Sequence, residues 1–514
     1  MKNLKLICLF VHYNSRNKID DYVFTYLQHL EKAGFVLFFI SNSPLKPEDR
    51  KLVNEKVRDC KIFERENKGA DFGAWKWAIE NNLVPEDFDY ILLANDSVYG
   101  PLFSLVPVIE SMLANREIDF WGLTDTYQGG WHLQSYFLCF SKKVFKSKAF
   151  QEIFQQNFSD EHKLEIIKKG EIQLTKSLLN AGFNGAAYAP YKELTTDTEE
   201  WTAINPTHFF WDTLIERFHF PFVKKELVLQ NPENIQSVSN LFQLIEEHSS
   251  YSIENIKQSV SGYLASFDSP TFFSGSISVL CHLYYPGSIY YFLTRLMHLK
   301  SPQTQFVFNL SAQLYYNPFF CEMLTKYFPG AFIIFTPNQG RDIGGKLAAF
   351  DVLMKSGIKT DFTLVIHDKL SPHTPTGIQW REQLLKIISP EILPEIFKKF
   401  HQNEKAGVIT NEELIKNEFD PDRERFTCTS SDNIFNYMRK FELQVSDYKF
   451  AAGTIFWIKT SILKNFFSSF SAISVRRDLE KGNALDFDKG TNIHAWERLF
   501  SFVANSQGYK TVGI

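Results

Sequence analysis

The chain has 514 residues and a net charge of −4, with 44% hydrophobic and 22% charged residues. That composition is globular and long enough for two large domains, which excludes a disordered chain. The negative balance argues against a general nucleic-acid binder, which needs a basic surface.

The first element in chain order is an apolar run over 6–11, after a short lysine-containing start. It is too short for a signal peptide and has no small-residue cleavage site. A strand over 6–12 is expected, then a helix over 19–33 and a strand over 35–40. A further strand follows at Ile91 to Leu93. Continuous apolar runs of this kind read as buried parallel strands covered by helices on both faces, so the expected class is α/β. From 232 to 270 a polar stretch with weak helical periodicity (Ile235, Val238, Leu241, Phe242, Leu244, Ile245) reads as a helical connector.

The same order then returns: a strand over 277–284, a helix over 287–299, a strand over 306–310 and another at Thr363 to Ile366. The expected organisation is a first domain over 1–231, the connector over 232–270, and a second domain over 271–514. Extra amphipathic segments over 378–400 and 433–441 enlarge the second copy. They suit an acceptor pocket or simple packing equally well. No stretch approaches the length of a membrane span. The six cysteines have no C-x-x-C spacing, so neither a zinc knuckle nor a disulfide framework is indicated, and a reducing cytoplasm is the simplest location.

The repeat is written most clearly in Asn67-x-Gly69-x-Asp71-x-Gly73 and Asn338-x-Gly340-x-Asp342-x-Gly344. His12 and His282 precede these turns at similar distances. Asn95-Asp96-Ser97 and His367-Asp368-Lys369 follow them, each directly after an apolar strand. Near the end of each copy stands a carboxylate before a Gly-aromatic pair: Glu171 with Gly182-Phe183, and Glu497 with Gly508-Tyr509.

In α/β sheets ligands sit beyond the carboxyl ends of strands. There the glycine turn can admit backbone close to a ligand, and the following helix start presents N–H groups to anions. A tight turn with an aspartate cap explains the same pattern. In the second copy Gly340 to Leu347 nearly spells a phosphate-binding P-loop, but Leu347 stands where Ser or Thr would bind Mg²⁺, and the first copy lacks the pattern.

Donor-binding candidates are therefore His12, Asn67, Gly69, Asp71, Asn95, Asp96, Ser97, His282, Asn338, Arg341, Asp342, His367 and Lys369. Asp96, and more weakly Asp368, are metal candidates: a hard ion such as Mg²⁺ or Mn²⁺ needs only one or two carboxylates plus substrate phosphates. Glu171, read as a helix start, is the candidate general base, with Asp96 and Glu497 the other catalytic candidates. Asp125, His132, Gln134, Tyr136, His208, His373, Trp380 and Arg381 are candidates for a sugar-acceptor pocket.

Several pieces carry a family resemblance: 95–101 (Asn-Asp-Ser-Val-Tyr-Gly-Pro), 121–125 (Trp-Gly-Leu-Thr-Asp), 132–137 (His-Leu-Gln-Ser-Tyr-Phe), 205–208 (Asn-Pro-Thr-His), Ser371-Pro-His373 with Trp380-Arg381, 452–454 (Ala-Gly-Thr) and 496–500 (Trp-Glu-Arg-Leu-Phe). Over nearly its full length the chain resembles the rhamnan synthesis protein F family of bacterial polysaccharide glycosyltransferases. The resemblance implies two tandem GT-A-type (Rossmann-like) domains and a nucleotide-sugar donor, with dTDP-L-rhamnose favoured. It also implies a lipid-linked or growing cell-surface glycan as acceptor.

The expected activity is hexosyl transfer with inversion, with Glu171 in the place of the catalytic base. The expected location is cytoplasmic, with a peripheral pool on the inner leaflet. The other reading that remains open is a non-catalytic glycan-binding or assembly protein on degenerate transferase domains. Asp368 departs from the family, which commonly has Thr there.

Overall fold

The computed structural model describes residues 4–159, 162–233, 235–268, 275–368, 382–484 and 490–514. The chain divides into two compact units, Met1–Ser266 and Phe267–Ile514.

The first unit is built on β1 (Leu6–His12), β2 (Phe35–Ser41), β3 (Lys61–Glu64), β4 (Tyr90–Asn95), β5 (Val98–Tyr99), β6 (Phe120–Thr126), β7 (His132–Leu133), β8 (Phe137–Ser141), β9 (Gly185–Ala189) and β10 (Val223–Lys224). Its main sheet runs β3-β2-β1-β4-β8-β6-β7, with β9 beside β6. The strands β1 to β4 are mutually parallel, whereas β8 is antiparallel to both β4 and β6. β1 is buried along its whole length, as its unbroken apolar run requires. A separate ribbon pairs β5 with β10.

The helix Asp21–Lys32 turns Tyr22, Val23, Tyr26, Leu27 and Leu30 onto the sheet. Helices Leu241–His248 and Glu254–Ala265 occupy the stretch read as a connector. Leu241, Ile245, Ile256, Val260 and Leu264 are buried there, and Ser259 is bonded to Tyr99 at 2.9 Å within the first unit.

The second unit repeats the plan with β11 (Ile277–Leu283), β12 (Thr304–Leu310), β13 (Phe332–Phe335), β14 (Phe362–His367) and β15 (Ala406–Thr410). Two ribbons follow: β16 (Ile415–Lys416) with β19 (Phe450–Ala451), and β17 (Phe419–Asp420) with β18 (Arg425–Phe426). β20 (Phe456–Lys459) and β21 (Lys510–Gly513) complete a sheet of order β13-β12-β11-β14-β20-β15-β21. β20 is antiparallel to β14, as β8 is to β4. In the enlarged part, the described helices are Leu393–Gln402 and Ser431–Lys440, and Tyr437 and Phe441 pack around Trp496.

Strand register corrects one sequence pairing. Asp96 N donates to Val11 O, and Asp368 N donates to His282 O. His282 therefore occupies the position of Val11, and His12 that of Leu283. A shift of one residue reverses the face of a strand, so the two histidines are neighbours in register and not equivalents.

Candidate functional site

The Asn-x-Gly-x-Asp-x-Gly segment opens a helix in both units, at Ala70–Glu80 and Arg341–Ser356. Gly69 and Gly340 adopt left-handed backbone with φ of 75° and 77°, a conformation cheap only for glycine. Each is also covered closely: an added Cβ would stand 2.8 Å from Phe158 in one unit and 2.3 Å from Leu479 in the other. Both glycines thus serve turn geometry.

Asn67 is exposed on its turn, whereas Asn338 donates to Asn483 at 3.0 Å and its carbonyl accepts from Gly482 N. Arg341 has φ of 51°, and its guanidinium reaches Ala484 O at 3.5 Å.

In the first unit this turn delivers Asp71 to the carboxyl end of β4. Asn95 Nδ2 donates to Asp71 Oδ2 at 2.6 Å, and Asn95 Oδ1 accepts from both Ser97 N and Ser97 Oγ. Burial pushes the Asp71 carboxyl up to about 7, with the Asp96 charge adding to it and Lys224, Asn95 and Lys225 opposing. Asp96 is 8% exposed and accepts from Tyr22 Oη at 3.1 Å, with Lys225 Nζ 3.7 Å from the same oxygen.

His12 is bonded through Nδ1 to Ser41 Oγ, and its Nε2 is buried with no hydrogen-bond partner. Its basicity is lowered chiefly by burial.

Glu171 belongs to the same region, its charge acting on Lys224 together with that of Asp71. It is not at a helix start: the helical segment begins at Lys163, and Glu171 lies in a π-helical turn, Ile167–Ile172, that runs on into helix Gln173–Asn180. Such turns are frequent at functional sites. Gly170 in this turn packs on the Phe72 ring, where an added Cβ would come within 2.7 Å, so the turn rests on the residue next to Asp71.

Glu171 Oε2 accepts from Ser135 N at 2.6 Å and from Ser135 Oγ, and Oε1 stands 3.3 Å from His132 Nε2. Burial works to raise the Glu171 carboxyl, but the hydrogen bond and charge of His132 and the two Ser135 donors outweigh it and hold it below the usual range. His132 Nδ1 meets Gly130 O at 2.8 Å.

Two lysines that sequence reading did not single out complete the site. Lys224 Nζ is 3.3 Å from Ser97 Oγ and 3.9 Å from the centre of the Tyr136 ring. Burial pulls it down to about 8 against the opposing charges of Glu171, Glu226 and Asp71. Lys225 donates to Tyr22 Oη. No local motif announces either residue. They arrive through the β5–β10 ribbon, far along the chain from the loop they serve.

The acceptor candidates of the first unit are buried and bonded to protein groups. Thr124 Oγ1 bonds Gln134 Oε1 and Tyr136 Oη, and Gln134 Nε2 reaches Asn205 at 3.2 Å. Asp125 is a clasp, accepting from Trp131 Nε1 at 2.5 Å and Tyr191 N at 2.6 Å. His208 pairs with Glu233 at 2.7 Å.

In the second unit the corresponding carboxylates are already satisfied by protein groups. Asp342 Oδ2 accepts from Lys346 Nζ at 2.8 Å and Thr454 Oγ1 at 2.6 Å, and Lys346, 1% exposed, also contacts His367 and Thr454 O. The lysine of the near P-loop sequence is therefore a core residue. Asp368 accepts from Tyr284 N and Tyr285 N, which makes it a clasp on the loop after β11.

Glu497 accepts from Gly453 N and from Arg498. His282 is bonded to Asn309 at 2.7 Å, and burial pushes it down to about 4. Lys369, His373, Trp380 and Arg381 lie outside the described residues. Among the described residues no three His, Cys, Asp or Glu side chains converge as a metal site.

The family model described as rhamnan synthesis protein F matches residues 37–509. The chain belongs to that family, and with it to the glycosyltransferases of polysaccharide synthesis. It is 29% identical over 225 residues to virulence protein VirA of Vibrio anguillarum, covering 38% of this chain and 70% of VirA. An uncharacterized protein, y4gN, of Sinorhizobium fredii is 28% identical over 186 residues, covering 35% of this chain and 47% of the relative.

Among solved structures, the glycosyltransferase GlyE of Streptococcus pneumoniae TIGR4 is 14% identical over 72% of this chain and 87% of its own, with a TM-score of 0.29. A putative nucleotide-diphospho-sugar transferase from Desulfovibrio desulfuricans G20 is 13% identical over 36% and 79%, with a TM-score of 0.24.

Proposed function

We propose that this protein moves L-rhamnose or a related sugar from a nucleotide diphosphate donor, dTDP-L-rhamnose being favoured, to a lipid-linked or growing polysaccharide, and that the first unit is the transferring one. The carrying observation is the convergence beyond β4 of Asp71, Asn95, Asp96 and Ser97, with Lys224 bonded to Ser97 and feeling the charges of both Asp71 and Glu171. Family membership supports the sugar-transfer chemistry, and the strand order supports a GT-A-type fold.

In the proposed reaction an acceptor hydroxyl oxygen attacks the anomeric carbon in line as the bond from that carbon to the diphosphate oxygen breaks. The configuration inverts, the hydroxyl proton passes to Glu171, and the nucleoside diphosphate leaves with the bonding electron pair. A carboxylate held ionised, as Glu171 is, takes a proton that grows more acidic as the new C–O bond forms. Such general-base help contributes about 10² to 10⁴ in rate. Asp71, with Asn95, would receive the nucleoside hydroxyls, and His12 Nε2 is a further polar atom without a protein partner in this region.

The second unit takes a binding role. Its counterparts Asp342 and Glu497 are paired with Lys346 at 2.8 Å and Arg498 at 2.6 Å, whereas among the described residues Asp71 and Glu171 have no lysine or arginine within 4.0 Å. This is the part of the protein for which a degenerate, glycan-binding domain is the better description.

No helix among the described residues is long and apolar enough to cross a membrane. A cytoplasmic protein docking peripherally on the inner leaflet would meet a lipid-linked acceptor there. The test is a panel of nucleotide sugars with a synthetic lipid-linked acceptor, with and without EDTA. Transfer of one sugar is expected. Donor binding without transfer from any donor would overturn the enzymatic reading in favour of a glycan-assembly role.

A further inference from the structure

We propose that Lys224 and Lys225 are the cation pair that grips the donor diphosphate and neutralises it as it departs, in place of a divalent ion. The inference rests on the donor site assigned above to the first unit.

The lysines are fixed by backbone. Lys224 pairs with Val98 in the β5–β10 ribbon, and Lys225 N donates to Ser97 O at 2.9 Å. Both are thereby anchored to the turn that ends β4. The two ammonium groups take different partners around that turn. Lys224 goes to Ser97 and the Tyr136 face, and Lys225 goes to Tyr22 and Asp96.

Lys224 makes no carboxylate contact within 4.0 Å among the described residues. Its charge is taken partly out of water beside Asp71, Glu171 and Glu226 without a direct pair. An ammonium placed this way is costly unless an anion completes its coordination. A diphosphate is an anion of suitable charge, and lysine is a common phosphate ligand that acts as a point charge.

The donor set at Asp96 does not suit a resident Mg²⁺ or Mn²⁺. Its carboxylate already accepts from Tyr22 and has Lys225 beside the same oxygen, so a lysine holds the place at Asp96 that an ion would take, and the neighbouring Asp71 accepts from Asn95. The cationic charge that an ion would supply is therefore already present on the protein.

The test uses the full chain and measures binding of inorganic diphosphate and of dTDP by calorimetry in EDTA, alongside sugar transfer. Wild type should bind both without metal. Lys224→Met and Lys225→Met should each weaken binding at least tenfold and flatten its salt dependence, and Lys224→Arg should retain binding. Melting curves establish that each variant is folded.

Binding that appears only with Mg²⁺ or Mn²⁺, or affinity unchanged in folded Lys224→Met and Lys225→Met, would overturn the proposal. If instead the wild type binds in EDTA, the variants lose that binding, and no sugar is transferred from any donor, the transferase reading falls and the anion site stands.

Discussion

Glu171 and Glu497 hold the same station in their two units. Glu171 accepts from Ser135 N and Glu497 from Gly453 N, both at 2.6 Å, and each of these amides lies just before the antiparallel strand of its sheet, β8 or β20. What differs is the second partner. Glu171 meets His132, whereas Glu497 is bonded to Arg498, which also forms a fork onto Glu418. The partner of Glu497 is thus a guanidinium that stays charged at any accessible pH, whereas the partner of Glu171 is an imidazole.

The first prediction follows from that difference. Glu171→Gln should lower the transfer rate at saturating donor by about 10² to 10⁴ with donor affinity nearly unchanged, and Glu497→Gln should leave the rate within a few-fold of wild type. Equal losses in the two variants would show that the units share the chemistry.

A second prediction concerns Asp71 and the pH dependence of stability. Its folded value of about 7 lies above the ordinary 3.8, so between these values the folded state holds a proton that the unfolded state has released. Stability from this group is therefore fully present below the ordinary value and is lost as pH rises through the folded one. Asp71→Asn keeps an acceptor oxygen for Asn95 but cannot ionise. Its melting temperature should change less between pH 4 and 8 than that of wild type, with the gain over wild type largest at the alkaline end. Parallel wild-type and variant curves in differential scanning calorimetry would contradict this.

Lys224 supplies a third. With its folded value lowered to about 8, mainly by burial and against Glu171, Glu226 and Asp71, it loses its charge in the mildly alkaline range. Diphosphate affinity should fall as pH rises above 8. In Lys224→Arg, whose guanidinium keeps its proton, that fall should largely vanish. Calorimetric titrations at pH 7 and 9 for both proteins test it.

The fourth is structural. Lys346 is buried with Asp342, Thr454 and His367, and removing one partner of a buried pair costs about 3 to 5 kcal/mol. Lys346→Met should lower the melting temperature, and adding Asp342→Asn should recover part of the loss because the stranded charge goes with it. A double variant no more stable than the single would remove the ion pair as the cause.

The two-unit α/β plan was legible because its marks are local: apolar runs for β1, β2, β4 and their repeats, and a glycine turn whose left-handed backbone admits few other residues. Positions along a strand were less legible. His12 and His282 look alike in sequence, yet hydrogen bonding places them one residue apart, and spacing alone does not carry the register. Glu171 is legible as a carboxylate but its π turn is not, since the helix begins at Lys163 behind His162, which is not a capping residue type. Lys224 and Lys225 were invisible for a different reason. Their place beside Ser97 depends on a two-residue ribbon that joins distant parts of the chain, and neither propensity nor periodicity registers so short a pairing.

Ile167–Ile172 is a π-helical turn. A turn of this type accommodates one residue more than the regular helix around it, so it is the footprint of a single-residue insertion. The matching helix of the second unit, Asn492–Ser506, is α-helical throughout. Yet Glu171 keeps the same separation from Gly182 that Glu497 keeps from Gly508. The extra residue is thus absorbed upstream of the carboxylate, where Gly170 meets Phe72. Deleting one residue before Gly170 should let the helix rewind without moving Glu171 relative to Ser135, whereas a deletion after Glu171 would swing the carboxylate about 100° around the helix axis and out of line with its partners.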